Sequence, residues 1–265
     1  MVESKNIPWL ELASVHVQIN KRKVLGELDL ALYPGENTVI LGPNGSGKSL
    51  LVRLISRDLY PVVKEGSHMH MFGSDKINLW HLRSRVGFLS TEIEKRSNPY
   101  VKAKDLIISG YFGSIGIGKG QNPTETQLDV VSNLINTLEL NKCSEMTFGE
   151  LSDGQKRRIL IARALIHNPE ILILDEPTNG LDIKSTYQLL ELLSDLIRKG
   201  KTLLMITHQV ETIIKEIDRV VFLSEGIISG DGTVEEKMTS SELSNLFDTR
   251  LNVIKDNDFY RLVHP

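Results

Sequence analysis

The run "NTVILG" is apolar without alternation, as in a strand covered on both faces of a parallel sheet, and it leads directly into a glycine-rich turn. Beyond that turn Leu50, Leu51, Leu54 and Ile55 recur at helical spacing, so a helix is expected from Lys48 to about Leu59. Strand, glycine turn and helix in this order restrict the chain to a small set of α/β folds. The turn itself, Gly42, Pro43, Asn44, Gly45, Ser46, Gly47, Lys48 and Ser49, fits G-x-x-x-x-G-K-[ST]. Glycines let the backbone curl until successive N–H groups face inward, and the helix start adds partial positive charge. Such a loop cradles phosphate. Lys48 is expected to reach the β- and γ-phosphates, and the Ser49 hydroxyl to coordinate Mg²⁺. By chance the pattern occurs in roughly one chain of this length in a hundred, and its placement between strand and helix makes coincidence rarer.

A second apolar run, "ILILDE", ends in Asp175 and Glu176. Open parallel sheets bind ligands at the C-terminal ends of their strands, and adjacent strand residues point to opposite sides. Two carboxylates there can divide the work. Asp175 is expected to hold Mg²⁺ through water, and Glu176 to polarise the water that attacks a γ-phosphate. His208 closes a third buried run, "TLLMITH", and is expected to contact the γ-phosphate or that water.

Around these runs the chain divides by texture. "LELASVHVQI" and "GELDLALYPGE" alternate, the latter with Leu28, Leu30 and Leu32 on one face, and read as antiparallel strands. From about residue 91 to 154 the pattern turns helical, with a glycine-rich loop, "SGYFGSIGIGKGQNP", and a helix from about Thr124 to Leu140. An amphipathic helix from Ile183 to Lys199 stops at Gly200 between two buried strands, which makes a β-α-β unit. A final helix, "TSSELSNLF", opens on capping residues. Elsewhere "HMH", His68 to His70, puts two imidazoles on one strand face with no third ligand evident in the sequence.

Composition narrows the function. With a formal net charge of -3 over 265 residues, no broad nucleic-acid-binding surface is expected. The one cysteine, Cys143, excludes an intramolecular disulfide and suits a reducing compartment as a packing residue. "MVESKNIPWLEL" has no apolar core of signal-peptide length, and no run approaches the ~20 apolar residues that span a bilayer. A cytoplasmic protein is expected.

Five ordered motifs are similar to those of the nucleotide-binding domain of ABC transporters. They are the cradle at Gly42 to Ser49, "LSDGQ" at Leu151 to Gln155, "ILILDEP" with Glu176, "NGLD" ending at Asp182, and His208. The resemblance covers nearly the whole chain. It implies a P-loop NTPase with a RecA-like α/β core at about residues 1–90 and 155–225. An antiparallel β-subdomain, an inserted α-helical subdomain at about 91–154 and a tail from about 226 to 265 complete that plan. It also implies ATP and Mg²⁺ as ligands, and a head-to-tail homodimer with ATP in the interface. Ser152, Gly154 and Gln155 of one copy, with Asp182, would then complete a site held by the cradle of the other. A separate membrane permease is the further implied partner, which would place the chain at the cytoplasmic face of the membrane. Lys156, Arg157 and Arg158 follow the signature motif, and at least two of them are expected on a solvated face.

Three positions depart from the family pattern. Ile19 stands where an aromatic residue commonly stacks on adenine, so base contact is expected to be apolar only. Asp153 replaces the second signature glycine, and its carboxylate is expected to point away from phosphate. In "VGFLSTEIEKR", Thr91 takes the place of a glutamine that touches Mg²⁺ and senses the membrane partner, with Glu92 as the neighbouring substitute. Transport is the expected role, with the tail resembling those of iron-chelate, cobalamin or molybdate importers. The alternative is a soluble ATPase of the same fold acting on nucleic acid, ribosomes or another protein. A long coiled coil or a second cradle would favour it, and the sequence has neither.

Overall fold

The computed structural model describes residues 7–257 and 259–263, so the first six residues of the stretch inspected for a leader lie outside it. Strands β1 (Leu10–Ile19) and β2 (Arg22–Leu32) form an antiparallel hairpin. Asn20 and Lys21 turn it with φ of 51° and 64°. Two successive left-handed residues give a turn whose twist matches that of the paired strands. Leu28, Leu30 and Leu32 are all buried, as their alternation predicts. β3 (Thr38–Leu41) opens a second sheet, whereas β4 (His68–Met71) returns to the first and pairs antiparallel with β1. The first sheet therefore runs β2-β1-β4.

The second sheet gains β5 (Val86–Leu89), β6 (Ile171–Asp175), β7 (Thr202–Thr207), β8 (Arg219–Ser224) and β9 (Ile227–Thr233). Its order is β5-β6-β7-β3-β8-β9, parallel as far as β8, with β9 antiparallel at the edge. The stretch beginning at Gly226 thus starts with a strand of this sheet. It ends in a separate hairpin of β10 (Asn252–Asp256) and β11 (Phe259–Val263).

Every residue of β3, β6 and β7 is buried, which accounts for their unbroken apolar runs. Alternate side chains feed two different cores. Ile40, Ile171, Ile173, Leu204 and Ile206 pack toward the β1–β2 hairpin and the helix α1 (Lys48–Ile55). Val39, Leu41, Leu172, Leu174, Leu203 and Met205 join the helical side of the molecule. With both faces covered, the sheet is open to ligands only along its strand ends.

Helices α2 (Leu79–Arg85) and α3 (Thr91–Arg96) flank β5, and α4 (Ala103–Ile108) and α5 (Glu125–Thr137) follow before the chain re-enters the sheet. Next come α6 (Asp153–Leu165) and α7 (Ile183–Arg198), then α8 (Val234–Lys237) and α9 (Ser240–Leu246). α1 ends short of the expected Leu59 because Arg57 takes a left-handed conformation at φ 65°. α5 starts where the sequence places it, with Thr124 as the N-cap of a reciprocal box with Gln127, and stops at Thr137 ahead of the left-handed Glu139.

Candidate functional site

β3, β6 and β7 are neighbours in the sheet, so their C-terminal ends deliver the Gly42 loop, the Asp175–Glu176 pair and His208 to one place. Backbone hydrogen bonds fix the arrangement. The Gly42 N–H donates to the Thr207 carbonyl at 3.3 Å, and the Glu176 N–H to the Ile206 carbonyl at 2.8 Å. On the outer side the Gly226 N–H donates to the Ser46 carbonyl at 2.8 Å, and the Gly26 N–H to the Gly226 carbonyl at 2.7 Å. The loop is thus tied to both sheets.

Two glycines are required by geometry. A Cβ at Gly42 would collide with the Leu223 carbonyl oxygen. Gly47, the N-cap of α1, has φ 104°, and a Cβ there would lie 2.8 Å from a Leu25 methyl.

Within this frame Lys48 is 6% exposed and folds back over its own loop, donating from Nζ to the Gly42 and Pro43 carbonyls at 2.9 Å each. Its Nζ also stands 3.6 Å from Glu176 Oε1. Burial lowers the Lys48 pKa, and the Glu176 charge acts in the opposite sense. Glu176, held at φ 48°, faces His208 Nδ1 at 2.9 Å. The Thr207 hydroxyl donates to Glu176 Oε2 at 3.2 Å while accepting from the Gln209 N–H at 3.0 Å. An ionised carboxylate only accepts, so a hydrogen bond between the two is one donated by His208 Nδ1.

Asp175 is 2% exposed, and its Oδ1 has no hydrogen-bond partner. Burial holds its carboxyl at about 6, assisted by the Glu176 charge, against the opposing pull of the Ser49 hydroxyl and Lys48. An orphaned, desolvated carboxylate oxygen beside a serine hydroxyl is a donor set suited to a small hard divalent cation. The Ser46 hydroxyl is likewise buried without a partner. Both orphans belong to the strand-end cluster.

The remaining predicted residues lie apart. Ile19 is half-buried at the end of β1, paired with Arg22. Ser152 caps α6: its Oγ accepts from the Gln155 N–H at 3.3 Å, and the Gln155 side chain accepts from the Ser152 N–H at 2.9 Å. Gly154 packs on Ser185, where a Cβ would approach Oγ to 2.6 Å. Asp182 caps α7 by accepting from the Ser185 N–H at 2.6 Å. Among the described residues no hydrogen bond or ion pair joins any of these to the cradle. Asp153 is exposed, and its carboxylate pairs with Lys156 at 3.4 Å.

The basic run after the signature motif is less solvated than expected. Lys156 and Arg158 are half-buried, and Arg157 is 5% exposed. Arg157 pairs with Glu94 on α3 at 3.2 Å and donates to the Asn179 carbonyl at 3.1 Å, joining α3, α6 and the segment after β6. Its position was readable in the sequence, because Arg157 precedes Leu160, Ile161 and Ala164 on the apolar stripe of α6. Glu94 gave no such signal. Thr91 and Glu92 border a cleft of about 650 Å³ together with Ser49 and Asp175. The Glu92 carboxylate turns toward Arg53 at 4.0 Å and Arg96 at 3.9 Å.

A phosphate cradle at the end of the buried parallel strand β3, with acidic residues at the end of β6 one strand removed across β7, defines a P-loop NTPase. The family model for ABC transporters matches residues 25–179. The chain is 31% identical over 252 residues to YlmA, an ABC transporter ATP-binding protein of Bacillus subtilis, covering 94% of each. It is 29% identical over 251 residues to the manganese transport system ATP-binding protein MntB of the same organism, covering 93% of this chain and 95% of that one. Its fold is similar to that of a metal-chelate type ABC transporter in an inward-facing conformation, with a TM-score of 0.78 at 22% identity, covering 97% and 98% of the two chains. The chain belongs to the ABC transporter family as an ATP-binding, ATP-hydrolysing subunit. No helix among the described residues is long and apolar enough to cross a membrane.

Asp175 gives a test of the site's electrostatics. A carboxyl with a folded pKa above its unfolded value binds more protons when folded, so stability falls as pH rises between the two values. From the ordinary 3.8 to about 6 the cost of ionisation reaches about 3 kcal/mol and persists at higher pH. Asp175→Asn is expected to stabilise the nucleotide-free chain against urea, by about 1 kcal/mol more at about pH 7.5 than at about pH 5. A gain independent of pH would contradict this account of the carboxyl.

Proposed function

We propose that this subunit drives import of a metal ion or metal chelate through a separate membrane permease, acting as a head-to-tail pair. The observation that carries the reading is the division of polar groups in one chain: a tied phosphate cradle with Asp175, Glu176 and His208, and a distant helix start at Ser152. In the pair, each cradle faces the other copy's signature helix. The Ser152 capping bond uses only acceptor capacity, so its hydroxyl proton and the first N–H groups of α6 are available to a γ-phosphate. Asp182 fixes the start of α7 beneath that surface. Ile19 offers apolar contact to the base. Residues of about 91–154 form the segment that meets the permease, the core being about 1–90 with 155–225 and the strand β9, and the remainder to 265 the tail.

Within each site Lys48 leaves the Gly42 and Pro43 carbonyls for the β- and γ-phosphates. Ser49 and Asp175 would hold Mg²⁺, which when bound would supply positive charge to offset that of the triphosphate. Glu176, released from Lys48, accepts a hydrogen bond from the attacking water and is oriented by Thr207 and His208. Import of metal or chelate is supported by the manganese system and by the metal-chelate transporter among the similar proteins, and by the tail resemblance.

Glu176→Gln is expected to bind ATP normally, hydrolyse it at least ~100-fold more slowly and run as an ATP-dependent dimer on gel filtration. Adding Ser152→Arg should abolish that dimer. Unchanged turnover in the first variant would remove Glu176 as the base. Isolation of the chain from membranes should bring down a polytopic protein. Recovery with ribosomes or nucleic acid instead would favour the soluble alternative.

A further inference from the structure

The two imidazoles of "HMH" acquire their missing partner in the fold. β4 pairs with β1 so that Glu11 lies directly opposite His70, and Ala13 opposite His68. On this face the Glu11 Oε2 stands 3.4 Å from His70 Nδ1 and 3.7 Å from His68 Nε2. The two rings stack at 4.4 Å between centroids, tilted by 31°. One donor atom from each residue lies within 4.8 Å of the other two. The opposite face carries Leu10, Leu12, Met69 and Met71, all buried, and this apolar anchoring holds the strand register that aligns the three polar side chains. The cross-strand neighbours on this face are small, Ala13 opposite His68 and Ala31 opposite Glu11 on β2.

We propose that Glu11, His68 and His70 form a surface binding site for a divalent transition metal of the zinc type. Two imidazole nitrogens and one carboxylate oxygen are the ligand set of a three-protein-ligand zinc centre, with water completing the tetrahedron. Nitrogen donors favour Zn²⁺, Co²⁺, Ni²⁺ and Cu²⁺ over Mg²⁺ and Ca²⁺, so cellular Mg²⁺ does not compete. All three side chains are partly exposed, at 33% to 40%, and a metal enters without opening the fold. Because the ligands come from both β1 and β4, the bound ion clamps the edge strand of the first sheet. The site is separate from the nucleotide cradle, being built from other strands in another sheet.

The test is titration of the untagged full chain with Co²⁺, with Mg-ATP present throughout so that the phosphate site is filled. One equivalent is expected to develop the intense visible d–d absorption of a tetrahedral centre, displaced by Zn²⁺. His68→Gln, His70→Gln and Glu11→Gln should each weaken binding by more than the about 10- to 100-fold that loss of an outer-shell partner costs. All three variants should keep their metal-free melting temperature and basal ATPase rate, and Zn²⁺ should raise the melting temperature of the parent chain only. Absence of the absorption at Co²⁺ concentrations up to about a hundred times that of the protein would overturn the site. So would affinity unchanged in the three variants.

Discussion

The placement of Lys48 governs the rest of the site. Its ammonium is almost fully buried, its charge is disfavoured there by desolvation, and it is held by two carbonyls of its own loop with Glu176 beyond. A buried cation survives only when surrounded by acceptors. The Gly42 and Pro43 carbonyls and the Glu176 carboxylate serve as those acceptors before nucleotide arrives. In the proposed mechanism triphosphate replaces these acceptors as the partner of Lys48, which would free Glu176 to polarise the water that attacks the γ-phosphate. Binding and arming of the base are one exchange of partners.

That exchange works because the frame around it is rigid. The fully buried strands cannot slip, since a one-residue shift would send each alternate side chain into the wrong core. The loop's hydrogen bonds to Thr207 and Gly226 then fix the cradle against the second sheet, and the bond from Gly26 to Gly226 links that turn to the first sheet. By contrast, the second half of the proposed site lies on α6, tied through Arg157 to Glu94 and Asn179. This link gives a physical route by which movement of α3, which begins at Thr91, reaches the signature helix. Glu92 is engaged by Arg53 and Arg96, so α3 is also tethered to α1.

Much of this was legible in the residues. The unbroken apolar runs announced strands buried on both faces, the glycine loop announced a phosphate cradle, and the helices expected from about Thr124 and from Ile183 begin there, capped by Thr124 and Asp182. What escaped depended on distance in the chain. Arg157 lies on the apolar stripe of α6, yet the partner of its buried charge, Glu94, is some sixty positions earlier and on another helix. Glu11 acquires meaning beside the two histidines only once β1 and β4 are in register. The early end of α1 rests on a left-handed arginine that no pattern signals.

The central claim is that triphosphate takes Lys48 from the loop carbonyls. A crystal structure with a non-hydrolysable ATP analogue and magnesium tests it most directly. The account predicts phosphate oxygens against the amides of Gly45 to Ser49, with Lys48 Nζ on the phosphates and no longer on Gly42 and Pro43. Nucleotide bound elsewhere, or Lys48 still held by both carbonyls with the triphosphate in place, would contradict it.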